Sequence, residues 1–156
     1  MALLVELNGV HRTFVDGAQE IEVLKDLSLS VEAGEFIAIM GISGAGKSSI
    51  LNIIAGLDIG FSGSAKILGQ DLQAISDDAR SQLRNHKMGF VFQSFHLLKH
   101  LSVLENVCVP AWLNRQKISL DLAKSKAMKA LGFVGLEDRA ASNIGVLSGG
   151  ERQRVA

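Results

Sequence analysis

The residues with the clearest chemical meaning lie near the start of the chain, in the stretch Gly41-Ile42-Ser43-Gly44-Ala45-Gly46-Lys47-Ser48. Two glycines enclose four residues and are followed by lysine and serine, which is the pattern of a phosphate-binding loop. Glycines let several backbone N–H groups point into one concave nest for phosphate oxygens. Lys47 would place a cation on the β- and γ-phosphates of a nucleotide, and Ser48 would offer its hydroxyl to Mg²⁺. The stretch predicts a nucleotide phosphate site.

The residues on either side of this loop predict the elements that would hold it. Residues 36–40 form a continuous apolar run, which suits a strand buried on both faces. A helix with apolar residues on most sides is expected from Ser49 to residue 55, and Gly56 stops it. A chance glycine-rich turn with an exposed lysine is the alternative. The flanking strand and helix argue against that alternative.

Composition excludes several other classes of protein. The chain has 156 residues, of which 47% are hydrophobic, so it is apolar enough for a core. Lys and Arg number 16, as do Asp and Glu, and this balance gives no argument for nucleic acid as a partner. Cys108 is the only cysteine, so we expect no internal disulfide, a reducing compartment and a small buried side chain. The first residues do not resemble a signal peptide, and no apolar run approaches the ~18 residues of a membrane helix.

Short patterns along the chain predict further strands. Apolar runs or alternation indicate strands at residues 3–7, 10–15, 21–31, 65–68 and 88–92. Turns are expected at Asn8-Gly9 and at Asp16-Gly17. The strand at 88–92 is continuously apolar, as expected for a buried strand, and it ends at Gln93.

The same reading predicts several helices. Ser76 has the features of an N-cap, and the apolar face of its helix leaves Arg80 and Arg84 outside. Helices dominate beyond residue 95, with an interruption at Pro110 and an amphipathic surface helix over residues 119–131.

Ser148 and Glu151 have the spacing of a capping box, so Ser148 would cap a helix that begins at Gly149. The N–H groups of Gly149 and Gly150 would then form an anion site at the start of that helix. A well-capped helix without a ligand is the plainer interpretation. Both interpretations hold together, because the cap is what builds the site.

The loop at 41–48, Gln93 at a strand end and the Leu-Ser-Gly-Gly-Glu stretch at 147–151 together resemble the nucleotide-binding domain of ATP-binding cassette (ABC) transporters. The resemblance covers essentially the whole chain and implies an α/β fold. Its parts would be a P-loop NTPase core with a small N-terminal antiparallel sheet (1–94), a helical subdomain (95–147), and the signature with the start of its helix (147–156). Residues 89–95 and 104–110 look like the lipoprotein-releasing and macrolide-efflux branch.

The resemblance also implies roles for individual residues. Lys47 and Gln93 would take part in catalysis, and Ser48 and Gln93 would hold Mg²⁺. ATP would bind to residues 41–49. An aromatic residue near the N terminus stacks on adenine in this family, and Phe14 matches its position, with a core residue of the small sheet as the alternative.

The signature implies a second subunit. In the family, the residues matching Ser148, Gly149, Gly150 and Glu151 close over the γ-phosphate of ATP bound to the other subunit. The expected partners are therefore a second nucleotide-binding subunit and integral membrane permease subunits, which would place the chain peripherally on the cytoplasmic face of the membrane.

The family's Walker B strand, catalytic glutamate and switch histidine have no counterpart in residues 1–156. We therefore expect these residues to be inactive as an ATPase by themselves. Burying the roughly five apolar side chains of that strand would supply about 10 kcal/mol, at about 2 kcal/mol each. This is comparable to the net stability of a domain, so poor folding of the isolated segment is also expected.

Two other functions stay open at this point. A truncated, non-hydrolytic nucleotide-binding or interaction module is the main alternative, since a chain that lacks the catalytic residues could still bind a nucleotide. An unrelated phosphate-loop kinase or GTPase is the other, but neither family needs the sequence at 147–151.

Overall fold

A long β-hairpin begins the structure, a computed structural model that describes residues 3–113 and 118–156. Strands β1 (Leu3–Asp16) and β2 (Gln19–Glu32) are antiparallel, and the turn between them has Gly17 at φ +61°. β3 (Ser62–Ile67) pairs with the other edge of β1, and β4 (Gln70–Asp71) pairs with β3. The order β2-β1-β3-β4 confirms the predicted small antiparallel sheet.

The predicted turn at Asn8-Gly9 is wrong, because β1 continues through both residues. The pairing of β1 with β2 shifts register between Leu7 and Val10, and Gly9 has φ +56° at this shift. A Cβ on Gly63 of β3 would collide with the Gly9 carbonyl. The glycine therefore permits a bulge and a close strand approach rather than a chain reversal.

Two helices join this sheet in the first of two compact units, Met1–Met88. Helix α1 (Lys47–Ile54) follows the glycine-rich loop as predicted, and Gly56 has φ +60° just after its C-cap, Ala55. Helix α2 (Asp77–Lys87) begins after Ser76, whose hydroxyl accepts from the Ala79 N–H as predicted for an N-cap. The sheet, α1 and α2 share one core: Leu7, Val10, Leu24, Ile50, Ile53, Phe61, Ala65, Ile67, Leu72 and Leu83.

The prediction that Arg80 points outward is wrong. Arg80 is 5% exposed, and its guanidinium donates to the carbonyls of Leu72 and Ile75, both at 2.6 Å, and to the carboxylate of Asp77. These acceptors make burial of the cation tolerable, because a buried charge needs partners for its donors. Arg84 is half-buried, and it donates at 2.9 Å to the Gly56 carbonyl beyond the end of α1. The two arginines therefore hold α2 in place.

The two continuous apolar runs, 36–40 and 88–92, do not form the predicted buried strands. Phe36 is 93% exposed, Met40 88% and Val91 84%. A strand requires a neighbour that accepts and donates along its length, and neither run pairs with another strand within the described residues. Several of their apolar side chains are consequently exposed, whereas Ile39 and Met88 are partly buried against the core of the first unit.

The second unit, Gly89–Ala156, is helical. It contains α3 (Val103–Trp112), α4 (Leu120–Phe133), α5 (Gly149–Val155) and two 3₁₀ turns, Glu137–Arg139 and Ile144–Val146. Its core is built from Val103, Leu131, Leu136, Ile144 and Leu147. Residues 114–117 of the predicted helical subdomain lie outside the described residues.

Two predictions, on Pro110 and on Cys108, fall in helix α3. It passes through Pro110 and ends two residues later, so the predicted interruption is wrong. Because the proline stands in the last turn, only one helical N–H is lost. Cys108 is buried as predicted, and burial raises the pKa of its thiol.

The buried contacts of Arg80 predict a large stability effect. Arg80→Ala should lower the free energy of unfolding by about 2–3 kcal/mol, because two carbonyls lose their donor inside the fold. Gln82→Ala, on an exposed position of the same helix, should change it by less than about 0.5 kcal/mol. Urea denaturation of the full-length protein measures both, and equal effects would contradict the structural role of Arg80.

Candidate functional site

The glycine-rich loop is an open surface feature that leads directly into α1. Residues 41–45 and Ser48 are exposed, while Gly46 is buried. Gly44 and Gly46 have φ +82° and +81°, a backbone conformation that favours glycine. No side chain caps α1, and the first helical bond runs from the Ile50 N–H to the Gly46 carbonyl. The N–H groups of residues 47–49 therefore have no helical acceptor and are available to an anion.

Lys47 lies inside this loop rather than out in solvent. Its Nζ donates to the Gly41 carbonyl at 2.9 Å and to the Ile42 carbonyl at 2.5 Å. The ammonium thus sits beside the loop and next to the uncapped helix start. The Ser48 hydroxyl has no hydrogen-bond partner in residues 3–113 and 118–156. Lys47 and Ser48 thus both lie where the loop passes into α1, and their roles toward phosphate and Mg²⁺ stay predictions.

The loop is seated on β2 through one close backbone approach. A Cβ on Gly46 would lie 2.8 Å from Leu24 Cδ2 and 2.9 Å from the Val23 carbonyl oxygen. In the β1–β2 ladder, Arg12 faces Leu24 and Thr13 faces Glu22, so Val23 is an extra residue in β2. Such a bulge bends the strand and redirects its carbonyl. The bulge at Val23 brings β2 against the start of α1.

Phe14 lies on the same hairpin, opposite Ile21 of β2. It is 39% exposed and does not belong to the core of its unit, so the alternative interpretation as a core residue is not supported. The Arg12 guanidinium lies over its ring, 4.0 Å from the centroid. Along β2, Ile21 is two residues from Val23, which corresponds to about 7 Å. The structure therefore brings the aromatic ring and the glycine-rich loop to neighbouring positions.

The sequence reading missed the residues that surround these two features, namely Arg12, Val23, Leu24 and Asp58. For Arg12 a signal existed, since it stands two residues before Phe14 and shares its strand face. The roles of the others depend on pairing between distant segments, which no local pattern shows.

The predicted capping box at the start of α5 is confirmed. The Ser148 hydroxyl accepts from the Glu151 N–H at 3.3 Å, and the Glu151 carboxylate accepts from the Ser148 N–H at 2.8 Å. Leu147 is buried in the core of the second unit, whereas Ser148, Gly149 and Gly150 are exposed. The buried leucine thus anchors a helix start whose glycine N–H groups face solvent.

Gln93 is exposed and belongs to the same unit as this helix start. Two residues further, the ring of Phe95 lies 5.6 Å from the Arg152 guanidinium of α5. The segment that carries Gln93 is therefore in contact with the helix of 148–151. The glycine-rich loop, Ser49 and Phe14 belong to the other unit.

Comparison with known proteins identifies relatives over the whole chain. The family model described as "ABC transporter" matches residues 24–156. The lipoprotein-releasing system ATP-binding protein LolD of Hahella chejuensis is 44% identical over 153 residues, covering 98% of this chain and 65% of that protein. The macrolide export ATP-binding/permease protein MacB of Shigella flexneri is 43% identical over 159 residues, covering 100% of this chain and 24% of that protein.

Solved structures agree with the sequence comparison. The ATP-binding cassette MJ0796, a dimer in a post-hydrolysis state bound to ADP and Pi, matches with a TM-score of 0.89 and 38% identity. The match covers 97% of this chain and 66% of the cassette. The predicted α/β cassette fold is thereby confirmed, and the chain spans about two thirds of LolD and about a quarter of MacB. Within the described residues, no helix is long and apolar enough to span a membrane.

The seating of the loop on β2 predicts different costs for two glycines with the same backbone conformation. Gly44→Ala should cost about 1–2 kcal/mol of unfolding free energy, because a Cβ there meets open space and only the left-handed backbone is strained. Gly46→Ala should cost about 1–3 kcal/mol more, because its Cβ also meets the Val23 carbonyl and the Leu24 side chain. Chemical denaturation of both variants checks the difference, and equal losses would contradict the close approach.

The capping box predicts a pH effect at the start of α5. Hydrogen bonds from the Ser148 side chain and backbone, and then the charge of Arg139, lower the pKa of the Glu151 carboxyl. A pKa lowered by folding stabilises the folded state above the unfolded value, and this contribution is lost as the pH falls through the folded pKa. The Ser148 amide resonance should therefore titrate with a midpoint below 4.5, the ordinary carboxyl value.

NMR of the full-length protein measures this midpoint. Glu151→Gln should abolish the titration at Ser148 and leave unchanged the one at Ser102, which forms the equivalent box with Glu105 in α3. A midpoint at or above 4.5 would contradict the hydrogen-bonded box.

Proposed function

Because the chain belongs to the ABC transporter family, we propose that it binds ATP and couples ATP hydrolysis to transport as part of a longer nucleotide-binding subunit or domain. The observation that carries this proposal is the loop at 41–48. It is exposed, it leads into a helix without a side-chain cap, and it has Lys47 at its mouth. Backbone donors, a helix start and one cation are the groups that phosphate recognition uses.

In this proposal the triphosphate takes the place of the loop's own carbonyls as the partner of Lys47. The ammonium moves from the carbonyls of Gly41 and Ile42 to the β- and γ-phosphate oxygens, and the N–H groups of residues 47–49 donate to the phosphates. Phe14, which lies on β1 opposite Ile21 and two residues along the ladder from the bulge at Val23, then contacts the base. Residues 41–49 and Phe14 form the ATP site.

The donor set also suits Mg²⁺, a hard cation that prefers oxygen ligands. The Ser48 hydroxyl would hold it together with phosphate oxygens and water, and its charge would stabilise the phosphoryl group during transfer. The resemblance to the family assigns Gln93 to the same ion. Ser48 has no competing hydrogen bond in the described part of the chain, and Gln93 is exposed. Lys47 and Gln93 are the residues of this chain that we propose to act in hydrolysis.

A second copy of the chain is the proposed partner for residues 148–151. The N–H groups of Gly149 and Gly150 are exposed, and Ser148 is fixed by its capping box. An exposed glycine pair at a capped helix start suits the γ-phosphate of a nucleotide held by the other copy. The dimeric arrangement of the related cassette MJ0796 supports this assignment.

We propose that the full-length protein works with integral membrane permease components at the cytoplasmic face of the membrane. The support comes from the relatives, which are named for lipoprotein release and for macrolide export. A hydrophobic cargo or a lipoprotein is therefore the proposed transport substrate. Hydrolysis is proposed for the full-length dimer and not for residues 1–156 alone.

The key test is Lys47→Ala in the full-length protein. Loss of the cation at the phosphates should weaken ATP binding at least tenfold and reduce ATP turnover at least a hundredfold, because charge on the transferring group loses its stabilisation. Equilibrium binding of radiolabelled ATP and phosphate release measure the two quantities.

Lys25→Ala is the matched control for this experiment. Lys25 is a lysine of β2 whose side chain is 72% exposed, so its loss should leave binding and turnover unchanged. Unchanged turnover in Lys47→Ala would refute the proposal. ATP binding without phosphate release by the unsubstituted full-length protein would favour the non-hydrolytic binding module instead.

A further inference from the structure

Arg12 is held more firmly than an ordinary surface arginine. Its side chain is 19% exposed, and its Nε donates to Asp58 Oδ2 at 2.8 Å. One Nη donates to the Thr13 carbonyl at 2.8 Å, and a Cβ on Gly60 would lie only 3.1 Å from the guanidinium. The planar group is thus fixed at its edge by hydrogen bonds, which leaves its faces for stacking.

One of these faces lies against Phe14. The guanidinium carbon is 4.0 Å from the ring centroid, within the range of a cation–π contact. Arg12 therefore covers one face of the ring and limits its rotation. Since Phe14 is 39% exposed, the rest of its surface stays available to a ligand.

Asp58 ties this pair to the helix that begins in the glycine-rich loop. The Asp58 N–H donates to the Asn52 carbonyl of α1 at 3.2 Å, and its Oδ1 accepts from the Gly60 N–H at 2.9 Å. Asp58 is thus part of the segment that follows α1. A single chain of contacts runs from the Phe14 ring through Arg12 and Asp58 to α1.

The pairing of β1 with β2 provides a second connection. Arg12 faces Leu24, whose side chain lies against Gly46 at the start of α1. Arg12 therefore links the aromatic ring to the glycine-rich loop and its helix in two ways, through Asp58 and through Leu24. Its charge is paired with Asp58 at 2.8 Å, which makes it unsuited to act as a phosphate ligand.

We propose that Arg12 is a positioning residue for the base of the nucleotide: it holds the Phe14 ring so that the uncovered face stacks on the base. This inference rests on the proposed function and adds a residue whose effect is confined to the base. The ring needs no reorganisation when the nucleotide arrives, so less affinity is lost to ordering. The affinity for a ligand that has the triphosphate but no base should therefore not change when Arg12 is replaced.

The test compares ATP with inorganic tripolyphosphate on the full-length protein. Arg12→Ala should weaken ATP binding about fivefold to tenfold, in the range of a cation–π contact and of stacking, and change tripolyphosphate binding less than twofold. Competition against radiolabelled ATP in equilibrium dialysis gives both dissociation constants. Equal losses for the two ligands would overturn the proposal.

A double-mutant cycle shows whether Arg12 acts through Phe14. Phe14→Leu alone should weaken ATP binding by about tenfold, and adding Arg12→Ala to it should cost less than a further twofold. A full additional loss would overturn the proposal. Arg12→Lys keeps the charge but not the flat stacking group, so it should recover less than half of the lost ATP affinity.

If Arg12→Ala fails to fold, Asp58→Asn provides a second test. It keeps the Arg12 side chain and removes only the negative charge that is paired with the Arg12 guanidinium. It should weaken ATP binding about twofold to fivefold with tripolyphosphate binding unchanged, since an anchored arginine orders the ring better than a free one. No selective loss for ATP in this variant would overturn the proposal. If Lys47→Ala also leaves ATP binding unchanged, the proposed function itself fails; if Lys47→Ala weakens it, only the role of Arg12 does.

Discussion

The close approach of Gly46 to β2 is the constraint on which the candidate site depends. The start of α1 touches the carbonyl of Val23 and the side chain of Leu24, and only a residue without a Cβ fits there. The contact fixes where the uncapped N–H groups of the helix point. β2 bulges at Val23, the residue that makes this contact, so the irregular strand and the glycine are two parts of one arrangement. The proposed phosphate site of this chain is thus formed jointly by a loop and a sheet.

The long hairpin also carries Phe14, the residue that we propose to contact the base. Phe14 and the bulge lie within a few residues of one another along β1 and β2, so one piece of sheet positions both ends of the proposed site. The Arg12–Asp58 pair links the same sheet to the segment after α1. Arg80 and Arg84 fix α2 by donating to carbonyls of Leu72 and Gly56. Cations bonded to backbone carbonyls therefore hold much of this unit together.

Helix starts with local causes were predictable from the sequence, although local signals misplaced a turn at Asn8-Gly9 and an interruption at Pro110. The small antiparallel sheet was also predicted, but the buried contacts between distant segments were not. Capping by Ser76 and by Ser148 was predicted correctly because donor and acceptor are three residues apart. The phosphate loop and α1 followed from glycine spacing and apolar periodicity. The runs at 36–40 and 88–92 were assigned to buried strands on composition, yet a strand exists only with a neighbour, and they have none in the described parts of the chain. Arg80 looked like a surface residue because its helical position says nothing about carbonyls eight and five residues earlier.

The exposed apolar runs adjoin residues with proposed catalytic roles, one run in each compact unit for most of its length. Phe36 and Met40 precede the glycine-rich loop, and Val91 precedes Gln93, so these three exposed apolar side chains are close in sequence to proposed catalytic residues. Apolar surface of this kind is stable only when something covers it. In relatives such as LolD the matched region is about two thirds of the protein. Each exposed run of this chain is therefore followed in sequence by a residue that we propose to act in hydrolysis, and a surface that packed on the run would also lie close to that residue.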